Sequence, residues 1–481
     1  MNPLFLLIPV FLPVLLGGAS FILPFRSIKA RNIYVLTGLT VCSVLVWALA
    51  LSTPENSLVL LNFTDALSIS LRLDGAGKIF ACLSATLWPL TAIYAFEYMK
   101  HEEHLKMFYA FFVTAFGATM GIAMAENMLT MYLFYEFLTI STIPLVMQGM
   151  AHKHKAAARK YMIYSIGGAA FAFPAVVFLI INGADTFAYG GNSALLDNSG
   201  ISFVLFVAGF IGFGVKAAMF PLHGWLPTAS VAPTPVTALL HAVAVVKAGA
   251  FAVIRLIYYS FGADYLRGTW AQNAVMTICI ITVLYGSVNA LRQRHFKRRL
   301  AYSTVSNLSY ITFAATIMTP AGLVAAFCHM LFHSVIKIGA FFSAGAVLHT
   351  TNKEHIHQLE GLGRKMPVTF ACYTVYALAL TGIPPLCGFF SKWYIATAGI
   401  DADNALAVAG VVILLISAFL TAMYMLSPAI KAFFTDKEKP VKIKEAGVCM
   451  LIPMVLCAAL CILLGVFARV PVTAITEVLG I

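Results

Sequence analysis

The chain has 481 residues, of which 61% are hydrophobic and only 10% charged, with a formal net charge of +12. A soluble domain carries roughly a quarter charged residues, so a chain this depleted could not cover a surface in water. A soluble enzyme, a secreted disulfide scaffold and a nucleic-acid binder are excluded, and at about 20 apolar residues per crossing the length implies an all-α polytopic membrane protein.

Fourteen apolar segments of spanning length follow one another, near 3–25, 32–51, 77–99, 107–125, 127–150, 161–183, 201–230, 233–260, 271–291, 300–318, 320–350, 367–398, 404–430 and 446–470. The N-terminus has no basic stretch before its apolar run and reads as a retained first span. Residues 52–76 alternate polar and apolar side chains, which predicts a small hairpin outside the bilayer. Six alternate loops hold 22 of the 31 Lys and Arg, including Arg26, Lys29, Arg31, Lys153, Lys155, Arg298, Arg299, Lys437, Lys439 and Lys442. Basic loops stay cytoplasmic, so both termini are expected on the outer side. There Asp185, Asp197, Asp264, Asp401 and Asp403 gather, with Arg72, Lys78, Arg255, Arg267 and Arg469. The net charge is a topology signal and needs no acidic partner. The nine cysteines form no C-x-x-C pair and read as small core hydrophobes.

Four lysines remain, all inside spans: Lys216, Lys247, Lys337 and Lys392. Glu136 is the one acid well within a span, while Glu97 and Glu126 fall near span ends. His241, His329 and His333 are also intramembrane. Each central charge costs roughly 2.5–3.5 kcal/mol on insertion scales, so this collection demands an explanation. Burial favours the neutral amine and a nearby carboxylate favours the ammonium. A lysine whose glutamate approaches or withdraws would therefore take up and release a proton, and histidine suits the intermediate positions. A lysine surplus over carboxylates favours such a relay over structural ion pairs.

His329, His333 and Lys337 recur every four residues, on one helix stripe about 12 Å long. His241 and Lys247, six residues apart on a continuous helix, would face different neighbours. The histidines make a poor metal or haem site, because no H-E-x-x-H occurs and one helix face cannot ligate both sides of one haem. No phosphate loop, nucleophile–base pair or other cofactor motif is present, so the chain is expected to carry neither cofactor nor catalytic site. Prolines interrupt two spans, in Phe220-Pro221-Leu222-His223-Gly224-Trp225-Leu226-Pro227 after Lys216 and in Gly382-Ile383-Pro384-Pro385 before Lys392. Paired broken helices, each beside a lysine, predict two internal repeats with a transport site in each.

With these residues the chain resembles the Mrp-antiporter-like subunits of respiratory complex I, Mrp cation/proton antiporters and group 4 membrane-bound hydrogenases. The segments that carry the likeness are Leu133-Phe134-Tyr135-Glu136, Gly214 to Pro227, Pro233 to His241, Arg299 to Ser306, His329 to Lys337 and Gly382 to Lys392. Within that family it is most similar to the D-type Mrp subunit. The resemblance implies fourteen helices in two inverted five-helix repeats with helices seven and twelve broken. Residues 1–106 would hold the N-terminal helices and hairpin, 107–260 and 271–430 the repeats, and 431–481 a loop and the last helix. It also implies a proton relay of Glu136, Lys216, His241, Lys247, His329, His333, Lys337 and Lys392, the last opening toward the outer side. One position departs from the family: His295 stands where relatives carry an acid before the aromatic-Lys-Arg run.

The expected function is proton translocation, with or without coupled Na⁺, by a membrane-arm subunit of a redox-driven complex in the cell's inner membrane. Its expected partners are other antiporter-like and small membrane subunits, the lipid bilayer and a hydrogenase-like or quinone-reductase-like redox module, but no nucleic acid. The alternative is the D-type subunit of a stand-alone multisubunit Mrp Na⁺/H⁺ antiporter.

Overall fold

The computed structural model describes residues 3–52, 56–64, 67–192, 199–434 and 444–481. Asp197, Lys437, Lys439 and Lys442, used above to orient the chain, lie outside the described residues. A short 3-10 turn leads into α1 (Leu7–Ile22) and α2 (Ile28–Leu51). The expected hairpin follows, with β1 (Ser57–Thr64) antiparallel to β2 (Leu67–Arg72) and Leu58 opposite Leu71. Next come α3 (Gly75–Tyr98), α4 (Leu105–Ala123), α5 (Met128–Met147) and α6 (His152–Ile181). The chain then breaks into shorter pieces: α7 (Ser199–Gly214), α8 (Trp225–Ala229), α9 (Thr234–Ala242) and α10 (Val245–Arg255). A π-helical stretch, Leu256–Phe261, joins α10 to α11 (Ala263–Leu266). The second half contains α12 (Trp270–Arg292), α13 (Phe296–Thr316), α14 (Pro320–Thr351), α15 (Pro367–Thr381), α16 (Cys387–Ile400) and α17 (Ala405–Phe434). It ends with α18 (Val448–Val466) and α19 (Arg469–Leu479), a short helix that no apolar segment announced.

Among the described residues, eleven helices are long and apolar enough to cross a membrane, and the protein is a polytopic membrane protein. Each of the fourteen apolar segments coincides with a helix or an interrupted pair of helices. Three segments stand outside the eleven. Residues 201–230 and 367–398 are each split, and α13 is rich in Ser, Thr and Asn. The polar α13 is almost wholly buried, because its side chains bond back to their own helix: Thr304 donates to the Leu300 carbonyl at 2.9 Å and Asn307 to that of Ser303 at 2.8 Å. Helix starts are fixed by short polar caps, with Asp74, Asn127 and Thr319 accepting the amides of Gly77, Thr130 and Gly322 at 2.8–3.0 Å.

The 32-residue α14 is the central post. It is packed by α3, α9, α13, α15, α16 and α18, and residues 332–347 are all buried. Around this post, apolar side chains cover the perimeter, as on α17, where Val412, Leu415 and Phe419 are exposed. In water such a surface would drive aggregation; against lipid tails it is the stable arrangement.

One sequence expectation needs correction here. Arg255 is no outer-loop residue: it is fully buried at the end of α10, among the rings of Phe187, Phe251 and Tyr259. Its partner is Asp74, the cap of α3 just ahead of that span, whose two oxygens accept from the Arg255 guanidinium and which is 8% exposed. Burial raises the Asp74 carboxyl's affinity for its proton, but the Arg255 charge beside it and the Gly77 amide overcome that and hold it below the usual carboxylate range. Breaking such a pair strands one charge, so Arg255→Met should destabilise the protein by about 3–5 kcal/mol in detergent denaturation. The double variant Arg255→Met/Asp74→Leu should recover most of that loss.

Candidate functional site

Three of the four buried lysines sit beside helix interruptions, and backbone carbonyls receive three of the four. After α7 ends at Gly214, the Val215 carbonyl is taken by Trp225 Nε1 at 2.8 Å, and the Phe220 amide donates to Thr282 Oγ1 at 3.0 Å. Lys216 sits on this break, fully buried. Its Nζ lies 3.5 Å from Glu136 Oε1, donates to the Tyr135 carbonyl and stands 3.3 Å from the centre of the Tyr135 ring. Glu136 is not enclosed to the same degree: its side chain is 24% exposed on the flank of α5.

The second break repeats the logic. Gly382 closes α15 in the left-handed conformation (φ 94°), which a side chain would resist. The last carbonyls of α15, at Leu380 and Thr381, accept from Lys392 Nζ at 2.6 and 2.9 Å. The ammonium thus lies at the negative end of the helix dipole.

A third interruption lies between His241 and Lys247. α9 stops at Ala242 and α10 begins at Val245, with Ala244 at φ −86°, ψ −93°. The continuous-helix geometry expected for this pair therefore fails, although the two groups do face different neighbours. Lys247 Nζ is 2.6 Å from His333 Nδ1, whereas His241 packs its ring 4.7 Å from that of Phe341. Both His241 ring nitrogens are buried without a hydrogen-bond partner among the described residues.

On α14, His329, His333 and Lys337 lie along one buried stripe as expected. The rings of His333 and His329 are stacked 5.7 Å apart, and His329 Nδ1 is 2.9 Å from Ser391 Oγ. Ser391 precedes Lys392, and the Tyr310 ring bridges the two, 5.3 Å from His329 and 5.6 Å from Lys392 Nζ. Direct contacts thus run Lys247–His333–His329–Ser391, ending beside Lys392. Lys337 stands off this line and donates to the Leu300 carbonyl at 3.1 Å and to Ser303 Oγ on α13. Lys216 and Lys247 are linked through backbone: a Cβ on Gly249 would lie 2.5 Å from the Ala217 nitrogen, so α10 rests against the break itself.

The lysine surplus is accommodated differently from the sequence expectation. Lys216, Lys337 and Lys392 are held on backbone carbonyls, and Lys247 on an imidazole. Sequence reading also missed Ser303, Ser391 and Tyr135 as partners. It placed Lys297 in a surface loop, although that side chain is 5% exposed and donates to the Ala232 carbonyl at 2.7 Å. Loop basic residues and buried ones look alike in sequence, and the carbonyl that receives Lys297 lies 65 residues away in the chain, so no local signal marks it. Near span ends, Glu126 pairs with Arg72 at 3.7 Å, and Glu97 accepts the Cys449 amide at 3.1 Å.

Residues 125–430 match the family described as NADH:quinone oxidoreductase/Mrp antiporter, transmembrane. The chain belongs to this family. Among its relatives, the A-type Na⁺/H⁺ antiporter subunit of Alkalihalophilus pseudofirmus is 31% identical over 443 residues, covering 85% of this chain and 54% of that protein. The chain spans about half or less of the length of the curated relatives it matches. Two solved structures share the fold at 22% identity. A chain of the membrane-bound sulfane sulfur reductase, an archaeal respiratory membrane complex, superposes with a TM-score of 0.87 over 99% of this chain and 97% of its own. A chain of respiratory complex I from Thermus thermophilus does so with a TM-score of 0.82 over 99% of this chain and 100% of its own. In this member of the NADH:quinone oxidoreductase/Mrp antiporter family, Glu136, Lys216, His241, Lys247, His329, His333, Lys337 and Lys392 all fall within the matched stretch.

Because Gly249 lets α10 approach the Lys216 backbone, Gly249→Ala must push the two apart. It should cost about 1–3 kcal/mol in denaturation midpoint, whereas Gly18→Ala, whose added Cβ meets nothing within 4 Å, should be near neutral.

Proposed function

We propose that this chain is a proton-translocating, antiporter-like subunit of a redox-driven membrane complex. The observation that carries the reading is the buried sequence of titratable groups: the Glu136–Lys216 pair at one break, then Lys247, His333 and His329 in contact, ending beside Lys392 at the other break. In this reading the chain crosses the inner membrane fourteen times, with both termini outside and its basic loops in the cytoplasm. The two broken regions mark the two inverted repeats. Partners are other antiporter-like and small membrane subunits and a redox module, and the chain itself holds no cofactor.

Glu136 and Lys216 form the switch. When the carboxylate is near, the ammonium is favoured; when it withdraws, the desolvated ammonium is penalised and its proton is released. Neighbouring like charges in a low dielectric repel, so a proton on one group lowers the affinity of the next and charge is driven sideways. Lys392, held on the carbonyls of a broken helix, is the last group before the outer side. The ion is H⁺, with or without coupled Na⁺.

A second reading, a component of a stand-alone Mrp Na⁺/H⁺ antiporter, is favoured by the relatives near 30% identity, which are antiporter subunits. Purifying the native complex separates the two: a hydrogenase-like or quinone-reductase-like module co-elutes in the first case and only antiporter subunits in the second.

Glu136→Gln and Lys216→Ala should each abolish coupled ion transport in membrane vesicles while the complex still assembles. An assembled Glu136→Gln complex that transports normally would sink the switch. For the lateral path, Lys392→Ala and Lys337→Ala should also stop transport. If both behave as wild type while Lys216→Ala does not, one repeat suffices.

A further inference from the structure

The direct line through Lys247, His333 and His329 leaves open how a proton reaches the interior from the side of the basic loops. We propose that it enters at His295 and Glu354, and that Lys297 passes it inward to the level of Lys337 and His241; this rests on the transport reading above. His295 Nε2 lies 3.3 Å from Glu354 Oε2, with the two side chains 23% and 48% exposed. A bridge between His295 and His355 brings their strands of backbone together, the Phe296 amide donating to the Glu354 carbonyl at 2.8 Å. The rings of His355 and His357 continue the cluster, at 5.5 Å spacings.

Two residues further on, the Lys297 ammonium is already sunk into protein, on the Ala232 carbonyl. That same carbonyl accepts from Thr237 Oγ1 at 2.9 Å, and Thr237 lies one turn before His241 on α9. On α13, one turn beyond Lys297, the Leu300 carbonyl holds Lys337. One helical turn and one carbonyl therefore separate Lys297 from each of the two interior groups. The two unpartnered nitrogens of the buried His241 ring are the second observation, since a polar ring in that state requires exchangeable partners such as water.

The groups facing His295 are Glu354 and His355 from the loop after α14, and Lys297 and Arg298 from its own helix. Burial pushes the imidazole below its ordinary value; Glu354 opposes this and the three others add to it. Opposing pulls from Glu354 and from burial with the neighbouring cations act on this imidazole, as suits a group that both takes up and passes on a proton.

The test uses vesicles carrying the native complex with its basic loops outward, lumenal acidification being followed by a pH dye while external pH is varied from about 8 to about 5.5, across the imidazole range. The wild type should speed up as external pH falls. His295→Gln should lose that rise and run several-fold slower per assembled complex, and Lys297→Met should be slower still. His295→Asp keeps an acceptor for the Arg298 amide that His295 caps, and with an ordinary carboxyl pKa of about 3.9 its rise should move to lower pH. If His295→Gln and Lys297→Met retain wild-type rate and profile while Lys216→Ala is inactive, the entry site is wrong and the transport reading stands. If Lys216→Ala is also active, the transport reading itself falls. A His295→Gln complex that assembles poorly but keeps the wild-type profile per complex assigns His295 to capping alone and overturns the proposal.

Discussion

The bond between Lys247 and His333 joins the two halves of the molecule through fully buried side chains. α10 belongs to the first set of helices and α14 to the second, and 2.6 Å separates the ammonium from the imidazole, both side chains being fully buried. The cost of burying that lysine is met only if α14 stays where it is, with His333 turned toward α10. Much follows from this demand. α14 is long and unbroken, packed on all sides, and its stripe of His329, His333 and Lys337 is held in register by a continuous helix. The neighbouring helices, by contrast, are free to break, and they do so where a charge must be met by backbone.

Helix breakage and lysine placement coincide at Lys216, Lys247 and Lys392, each beside an interruption, while Lys337 lies on the unbroken α14. A helix end inside a bilayer exposes carbonyl oxygens that neither lipid nor the helix itself can satisfy. Here the Lys392 ammonium satisfies two of them at the end of α15, whereas Lys216 and Lys337 are bound to carbonyls within the unbroken helices α5 and α13. A carbonyl carries partial negative charge but no titratable proton. Lysines held this way are stabilised without a permanent counter-ion, so their charge can change without leaving an orphaned carboxylate behind. Glu136 is the exception and gives the first break a partner whose charge can be moved.

Sequence alone made the membrane class, the helical segments, the hairpin and seven buried titratable residues beside the half-buried Glu136 legible, because composition, proline positions and charge placement leave strong traces. It failed where the deciding quantity was three-dimensional. The break between Ala242 and Val245 contains no proline or glycine, so nothing local announces it. Arg255 and Lys297 resemble loop charges until the partners Asp74 and Ala232 are seen to enclose them. Lys337 looked like the middle of a line on helix periodicity, yet its side chain turns to Ser303 on α13, a direction that depends on which helix packs there. His295 shows the same point. Nothing local to that position announces its carboxylate partner, Glu354, which is supplied by a loop some sixty residues later in the chain.

Glu136 gives the first charge pair an unusual boundary. Its partner Lys216 is fully enclosed, whereas the carboxylate lies at the molecule's edge on α5, between the exposed side chains of Leu133 and Ile140. The polarisability of the medium at that edge is therefore set by whatever lies against α5, not by this chain. Hydrocarbon there would bind the carboxylate tightly to the ammonium; a polar or hydrated neighbour would loosen it. The pair behaves as a capacitor with one plate inside the protein and the other on its rim, so its voltage can be read, and written, from outside.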